Sequence, residues 1–478
     1  MDDLKEKGIK AFAWDFFGKI MTHGMGIIVT IVLARLLEPS EFGLIAMIMV
    51  IIGIANIFTD VGLSSALIQR KKVLPIHYSS VFYFNLIIGL ILTLITYFSA
   101  SWIAEFYQNN VLLPLTEVMS LSFVINAFSS VQTTKLRKEL NHSVLTKASF
   151  IASLLSGVAG VILAFHGAGA WSLVSQTLTF GIIYNLVIWA VSQWSPALLF
   201  SFKALKQLWG FGFRMFLSGV LEAIFTRLDY LIIGKLFLPE TLGFFQRAKS
   251  LNLMVAQYTS GSLMAVLFPV LSQLKNNLLQ FQKVIIKMMG IICFVVFLLL
   301  GSLYLLSEEL IVFLFGVKWL PSVELFQVLV FSGFAYPISA LLVSVLHGRG
   351  KSKENLHLQV RKKAFVFINF GGLYAWGIDA YLYGLVVTAI VGVILNILYV
   401  SREIKLPFIL FFEPIIDQSV ITVTALVSTL YLVMLMEEWV FIMKFFLFLL
   451  IYILMNWVFK TSSFKYFMEQ LYPLLIKK

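Results

Sequence analysis

Fourteen stretches of this chain are apolar over roughly the length that crosses a bilayer, and that feature constrains the fold more than any other. They run 12–36, 42–67, 80–104, 111–133, 144–166, 169–191, 208–236, 243–271, 284–306, 322–346, 359–377, 380–400, 414–436 and 438–459. A membrane helix needs ~20 mostly apolar residues. Backbone polar groups find no water inside hydrocarbon, so a spanning segment is either a helix or part of a closed barrel. Unbroken apolar runs of this length select helices. Composition agrees: 60% of residues are hydrophobic and 13% charged, against roughly half and a quarter in a soluble domain. The expected fold is therefore an all-α polytopic membrane protein of about fourteen transmembrane helices. The first stretch is too long for a signal peptide and reads as a retained span.

Basic residues test the count. With the N-terminus in the cytoplasm, 27 of the 36 lysines and arginines fall in cytoplasmic segments, clustered as Lys5-Lys7-Lys10, Arg70-Lys71-Lys72, Lys135-Arg137-Lys138 and Arg361-Lys362-Lys363 among others. Only Arg35, Lys235, Lys318 and Lys444 mark outward ends. Such an asymmetry is the signature of positive-inside topology. A miscounted span would invert every later loop. The net charge of +12 is thus largely a topology signal, and nucleic acid is not an expected partner. Both termini are expected on the cytoplasmic side.

Several function classes lack their residues. One cysteine, Cys293, allows no disulfide framework and no cysteine-based metal site. Gly350-Lys351-Ser352 has Val345 where a phosphate-binding loop needs glycine. There is no HExxH and no Ser-His-Asp grouping. No gap between spans is long enough for a catalytic domain. The chain is expected to be no enzyme and to need no cofactor.

A weak internal repeat organises the spans. Arg35-Leu36-Leu37-Glu38-Pro39-Ser40-Glu41-Phe42-Gly43 recurs as Lys235-Leu236-Phe237-Leu238-Pro239-Glu240-Thr241-Leu242-Gly243. Trp14-x-Phe16-x-x-Lys19 recurs as Trp209-x-Phe211-x-x-Arg214, and Gly167-x-x-Ala170-Trp171 as Gly377-x-x-Ala380-Tyr381. The shift is six spans, an even number, so both copies cross in the same sense, as in parallel-repeat transporters. The expected layout is two six-helix pseudo-symmetric lobes, 1–195 and 196–405, around a central cleft. A C-terminal helix pair, 406–478, is appended.

Ionisable groups at bilayer depth are costly and usually face a cavity. Five bases lie within or just inside spans: Lys19, Arg214, Arg227, Arg247 and Lys249. They are the candidates for a cationic cleft, because guanidinium and ammonium groups match phosphate oxygens. Six acids accompany them: Asp15, Asp60, Glu222, Asp229, Glu413 and Asp417. Gly53, Asn56, Asp60 and Ser64 follow helical steps and predict one polar face on the second span. Gln246, Ser250, Gln257 and Gly261 do so on the eighth. Lys19 and Lys249 have a simpler alternative, snorkelling to a nearby interface. Arg227, near mid-span, either lines a cavity or pairs with Glu222 or Asp229. Asp60, Glu222 and Asp229 are candidates for coupling to H⁺ or Na⁺, with Asn56 and Gln257 as further polar cleft residues.

Ordered motifs carry a family resemblance. Ala34-Arg35-Leu36-Leu37-x-Pro39-x-x-Phe42-Gly43 resembles the polysaccharide transporter (Wzx-type flippase) family. So do the run from Asp60-Val61-Gly62 to Gln69-Arg70, Phe165-x-Gly167-x-Gly169-Ala170-Trp171, and Gly243-x-x-x-Arg247-Ala248. The likeness covers residues 8–400 and points to the lipopolysaccharide and teichuronic acid subgroup of the multidrug/oligosaccharidyl-lipid/polysaccharide superfamily. It implies a bacterial inner-membrane flippase for an undecaprenyl-pyrophosphate-linked oligosaccharide, working by alternating access. The implied partners are membrane lipid, the lipid-linked glycan, and the polymerase and glycosyltransferases of glycan assembly. Carried over by motif, Lys19 and Arg247 belong to spans that line the cationic cavity in relatives. The alternatives are a drug or cation antiporter or a lipid II flippase of the same fold, and, from another class, a membrane enzyme of glycan assembly.

Overall fold

A computed structural model describes residues 21, 24–254, 277–435 and 441–476. Those residues are almost wholly helical. In chain order the helices are α1 (Gly24–Leu36), α2 (Pro39–Asp60), α3 (Leu63–Gln69), α4 (Pro75–Phe98), α5 (Ala100–Tyr107), α6 (Leu112–Lys138), α7 (His142–Phe165), α8 (Ala170–Val191), α9 (Phe202–Leu236) and α10 (239–254). After the undescribed residues 255–276 come α11 (Leu278–Leu305), α12 (Ser307–Phe315), α13 (Pro321–Ser332), α14 (Ala335–Gly348), α15 (Ser352–Ile404), α16 (Ile409–Met434), α17 (Phe441–Val458) and α18 (Ser462–Ile476).

Ten helices of the described residues are long and apolar enough to cross a membrane. The 35-residue α9 carries the seventh apolar stretch, and α1 and α10 carry the described parts of the first and eighth. Helix α15 holds the eleventh and twelfth stretches in one element. At 1.5 Å per residue its 53 residues would reach far beyond one ~30 Å hydrocarbon core. The chain reverses at Gly377 instead, whose φ of 85° lies in the left-handed region that glycine adopts without steric cost. This is a reversing point that the repeat had marked.

Local chemistry sets the element ends. Pro39, Pro75 and Pro321 open α2, α4 and α13, where the missing N–H costs nothing. Ser201 and Asn277 cap α9 and α11, accepting from Ala204 N at 3.3 Å and Gln280 N at 3.2 Å. Lys138 in the last turn of α6 donates to Leu67 O at 2.5 Å and to Arg70 O. It thereby covers the free carbonyls that end α3.

The expected second span, 42–67, is not one helix. It ends at Asp60, passes through Val61 and Gly62 with φ of 45° and 73°, and restarts at Leu63. Asp60 bridges the break by accepting from Ser64 N at 3.0 Å and Ser64 Oγ at 2.6 Å.

The chain divides into two compact units, Met1–Gly243 and Phe244–Lys478. In the first, α2 and α9 lie side by side, from Gly62 beside Gly212 to Met47 beside Gly234. In the second, a buried polar network ties the last spans to α11. Gln418 donates to Asn456 Oδ1 at 2.8 Å, Tyr452 Oη donates to Phe294 O at 2.8 Å, and Asn456 donates to Tyr452 O at 3.0 Å. In hydrocarbon such interhelical bonds hold spans together where apolar contact alone cannot select a partner.

Candidate functional site

The candidate residues divide between the two units. Lys19 and Gln257, with Asp15 and Gly261, lie outside the described residues.

Arg227 has the most specific surroundings. It sits half-buried on α9, facing α2, and donates from Nη1 to Met49 O at 3.0 Å. The guanidinium rests directly over Gly53: a Cβ there would lie 2.2 Å from Arg227 Cζ. Gly53 thus makes the cradle for the guanidinium, which explains one member of the polar face expected on this span. Among the described residues Arg227 makes no ion pair, neither with Glu222 nor with Asp229. The acid-pairing alternative is not what the structure holds. Asp229 is buried within α9, where its Oδ1 accepts from Tyr230 N at 2.9 Å.

Arg214 and Glu222 are exposed on α9, and Asn56 is half-buried on α2. Arg214 makes no hydrogen bond or ion pair among the described residues. In the second unit Arg247 is buried, with its guanidinium 5.1 Å from the Phe315 ring centroid and 5.3 Å from that of Trp319. Aromatic faces stabilise a cation in a desolvated place. Lys249 lies 5.6 Å from the Phe245 ring and is half-buried.

Two neighbouring cavities in the second unit share Tyr304, Phe331 and Val386. One is an apolar groove of about 420 Å³ between α11, α13, α15 and α16, lined by residues such as Phe297, Ile390, Phe412 and Val423. The other, about 590 Å³, carries Glu324, Asp379, Gln327 and Tyr383. Its two carboxylates would repel a phosphate, so it is no part of a cationic site. Glu413 and Asp417 line a third cavity with Lys460 and Lys465. Among the described residues no group of three or more His, Cys, Asp or Glu is placed to hold a metal ion. Sequence reasoning missed the Gly53 cradle and the aromatic faces around Arg247. Each depends on contacts between residues far apart in the chain.

Gly53→Ala tests the cradle. The new methyl group meets the far end of a flexible side chain that can move aside, so the protein is expected to fold, with its unfolding temperature lowered only by the loss of the Arg227–Met49 hydrogen bond. Moving the guanidinium also takes it out of reach of a substrate phosphate, and one charge-assisted bond of about 1.5–3 kcal/mol lost there lowers transport activity about tenfold or more. A thermal melt beside a transport measurement reads both.

A family model described as polysaccharide biosynthesis protein matches residues 32–324. The chain is 22% identical to the lipopolysaccharide biosynthesis protein WzxC of Escherichia coli over 403 residues, covering 82% of this chain and 80% of that one. It is 27% identical to the teichuronic acid biosynthesis protein TuaB of Bacillus subtilis over 304 residues, 62% of each chain. It is 25% identical to the succinoglycan biosynthesis transport protein ExoT of Rhizobium meliloti over 331 residues, 69% of this chain and 64% of that one. Among solved structures, the lipid II flippase MurJ in an inward closed conformation superposes with a TM-score of 0.73 at 17% identity, covering 94% of this chain and 98% of that one. An inward-facing multidrug resistance MATE transporter of the MOP superfamily superposes with 0.61 at 16% identity, covering 81% and 94%. These structural likenesses establish a shared fold.

Proposed function

This chain belongs to the polysaccharide biosynthesis protein family, and from that membership we propose that it is a flippase for a polyprenyl-pyrophosphate-linked oligosaccharide. The observation that carries the proposal is the family match over residues 32–324, joined to a fold shared with a lipid flippase. It is a transporter in this reading and not an enzyme. It resides in the bacterial inner membrane with both termini in the cytoplasm. The two repeats form lobes that open alternately to either side. Its neighbours in the cell are the glycosyltransferases that build the glycan and the polymerase that uses it.

The physical task sets the roles. Sugars and a pyrophosphate are too polar to cross hydrocarbon unaided. Lys19, Arg214, Arg227, Arg247 and Lys249 replace the water around the phosphates with fixed positive charge. Arginine suits this because its planar fork gives paired hydrogen bonds to phosphate oxygens. The polyprenyl chain needs no such path. It stays in contact with lipid, and the apolar groove between α11, α13, α15 and α16 suits a hydrocarbon chain by composition.

A cation or drug antiporter of the same fold is the second reading. The pocket with Glu324, Asp379 and Tyr383 is the feature that favours it, since carboxylates and aromatic faces attract cations. Transport of a labelled lipid-linked oligosaccharide by purified protein in vesicles separates the two.

A further inference from the structure

The last three helices enclose a cavity of about 710 Å³ whose lining carries two acids and two bases. One side is a stripe on α16, where Glu413, Asp417, Val420, Ile421 and Thr424 follow steps of three and four residues and so share a face. The other side is the turn from α17 into α18, with Phe459, Lys460, Ser462, Lys465 and Tyr466. That turn is well held. Lys460 has a φ of 49°, Thr461 N bonds to Asn456 O at 3.3 Å, and Thr461 Oγ1 donates to Asn456 Oδ1 at 2.7 Å. Helix α18 packs on α11 through Phe464 and Phe467, whose ring centroids lie 5.6 and 4.7 Å from that of Phe294.

The four charges do not satisfy one another. Among the described residues the side chains of Glu413, Asp417, Lys460 and Lys465 form no ion pair and no hydrogen bond. Glu469, one turn beyond Lys465, pairs with Lys287 of α11 at 2.9 Å instead. The hydroxyls of Ser462 and Tyr466 are likewise uncommitted. Charges within a membrane protein need counter-charges, and opposite charges that line one cavity without pairing suit a ligand that brings both. Two carboxylates and two ammonium groups call for a ligand of zero net charge with opposite ends. Its anion belongs with the lysines and hydroxyls, and its cation with the acids. Ser462 opens α18, so the lysine side is also the positive end of that helix.

The lining also changes with depth. At 1.5 Å per residue Asp417 lies about 12 Å along α16 from its first residue, and Thr424 about 22 Å. The charged residues therefore sit toward the membrane surface, while Val420, Ile421 and Met455 line the deeper part. A polar end at the surface and an apolar end in hydrocarbon describe a membrane lipid. A headgroup that joins a phosphate to a primary ammonium meets the charge requirement. The primary ammonium offers three N–H donors to carboxylates. A quaternary ammonium offers none, and a glycerol headgroup has no positive charge.

We propose that this cavity binds the headgroup of an aminophospholipid such as phosphatidylethanolamine. Its phosphate lies at Lys460, Lys465, Ser462 and Tyr466, and its ammonium at Glu413 and Asp417. The lipid bridges α16 and α18 and so ties the last helix to the spans. It is a resident of the fold and not the cargo, so the site stands whether or not the chain moves a glycan.

The test is lipid binding by the full chain in detergent. Phosphatidylethanolamine, phosphatidylglycerol and phosphatidylcholine of identical acyl chains are titrated in turn, read by native mass spectrometry with a thermal melt on each sample. The wild type is expected to retain one phosphatidylethanolamine per chain at about tenfold lower concentration than either other lipid, and to unfold at a higher temperature with it. Glu413→Gln with Asp417→Asn removes both acids without breaking a recorded bond. It is expected to lose the preference for phosphatidylethanolamine and to bind phosphatidylglycerol more tightly than the wild type does. Lys460→Gln with Lys465→Gln is expected to weaken both lipids. These opposite responses separate headgroup recognition from general damage to the helices. Equal binding of the three lipids by the wild type overturns the proposal, as does an unchanged preference after both acids are replaced. Tighter retention of a polyprenyl pyrophosphate than of phosphatidylethanolamine, lost when both lysines are replaced, would assign the cavity to the transported lipid and overturn it too.

Discussion

Replacing Arg227 and Arg247 together by alanine is expected to abolish export of the glycan while leaving the protein in the membrane. Arg227 spends one hydrogen bond on Met49 O, and a guanidinium carries five N–H donors. Most of its fork is therefore uncommitted to the described residues, although the side chain is held in place by Gly53. Arg247 is held differently, packed near Phe315 and Trp319, so its charge is pre-positioned in a site with little water. Charge-assisted hydrogen bonds contribute about 1.5–3 kcal/mol each. Losing one at each position amounts to roughly 3–6 kcal/mol in substrate stabilisation, or about two to four orders of magnitude in rate. Surface glycan should fall below detection, and lipid-linked precursor should accumulate. Immunoblotting of membrane fractions checks that the chain is still inserted. Arg227→Lys keeps the charge but loses the fork, and should retain part of the activity. Normal export by the double variant would remove the cationic site from the account.

A methyl group at Gly43 should be nearly as damaging, for a reason of packing. The repeated Pro39-x-x-x-Gly43 and Pro239-x-x-x-Gly243 segments touch each other reciprocally. A Cβ at Gly43 would lie 1.7 Å from Pro239 O, and one at Gly243 would lie 2.0 Å from Pro39 O. Both obstacles are backbone, so no rotamer change relieves them, and the starts of α2 and α10 must separate. Overpacking typically costs 1–3 kcal/mol, and a clash with fixed backbone belongs at or above the top of that range. Gly43→Ala is thus expected to lose about 3 kcal/mol, seen as a lower unfolding temperature in detergent and reduced abundance in membranes. Gly243→Ala should match it, because the contact is symmetric. Unchanged melting of both variants would show that the two segments do not meet this way.

Much of this fold was legible in the sequence because a bilayer imposes simple demands. Length and apolarity located the helices, and Gly377 was visible as a reversing point. The break at Val61–Gly62 was not, since apolar residues continue on both sides of it and the run 42–67 reads as one span. Only the bond from Asp60 to Ser64 reveals how the halves are joined. The repeat was legible as a pattern, but its purpose was not. Pro39, Gly43, Pro239 and Gly243 keep a backbone-to-backbone contact, which explains these motif residues without any ligand. The candidate bases were picked out by depth alone. Depth cannot say that Arg227 lies on Gly53, 174 positions away, or that Arg247 lies near two aromatic rings. The network of Gln418, Tyr452 and Asn456 was missed for the same reason. Single polar residues on successive spans give no signal until the helices are packed.

The central claim is that the chain moves a lipid-linked glycan. The direct measurement places purified protein in vesicles with a fluorescently labelled polyprenyl-pyrophosphate oligosaccharide in one leaflet. The account predicts that the label crosses far faster than in protein-free vesicles, and that Arg227→Ala with Arg247→Ala returns it to the protein-free rate. A wild-type protein that leaves the label in its original leaflet, while transporting an organic cation across the same membrane, would contradict it.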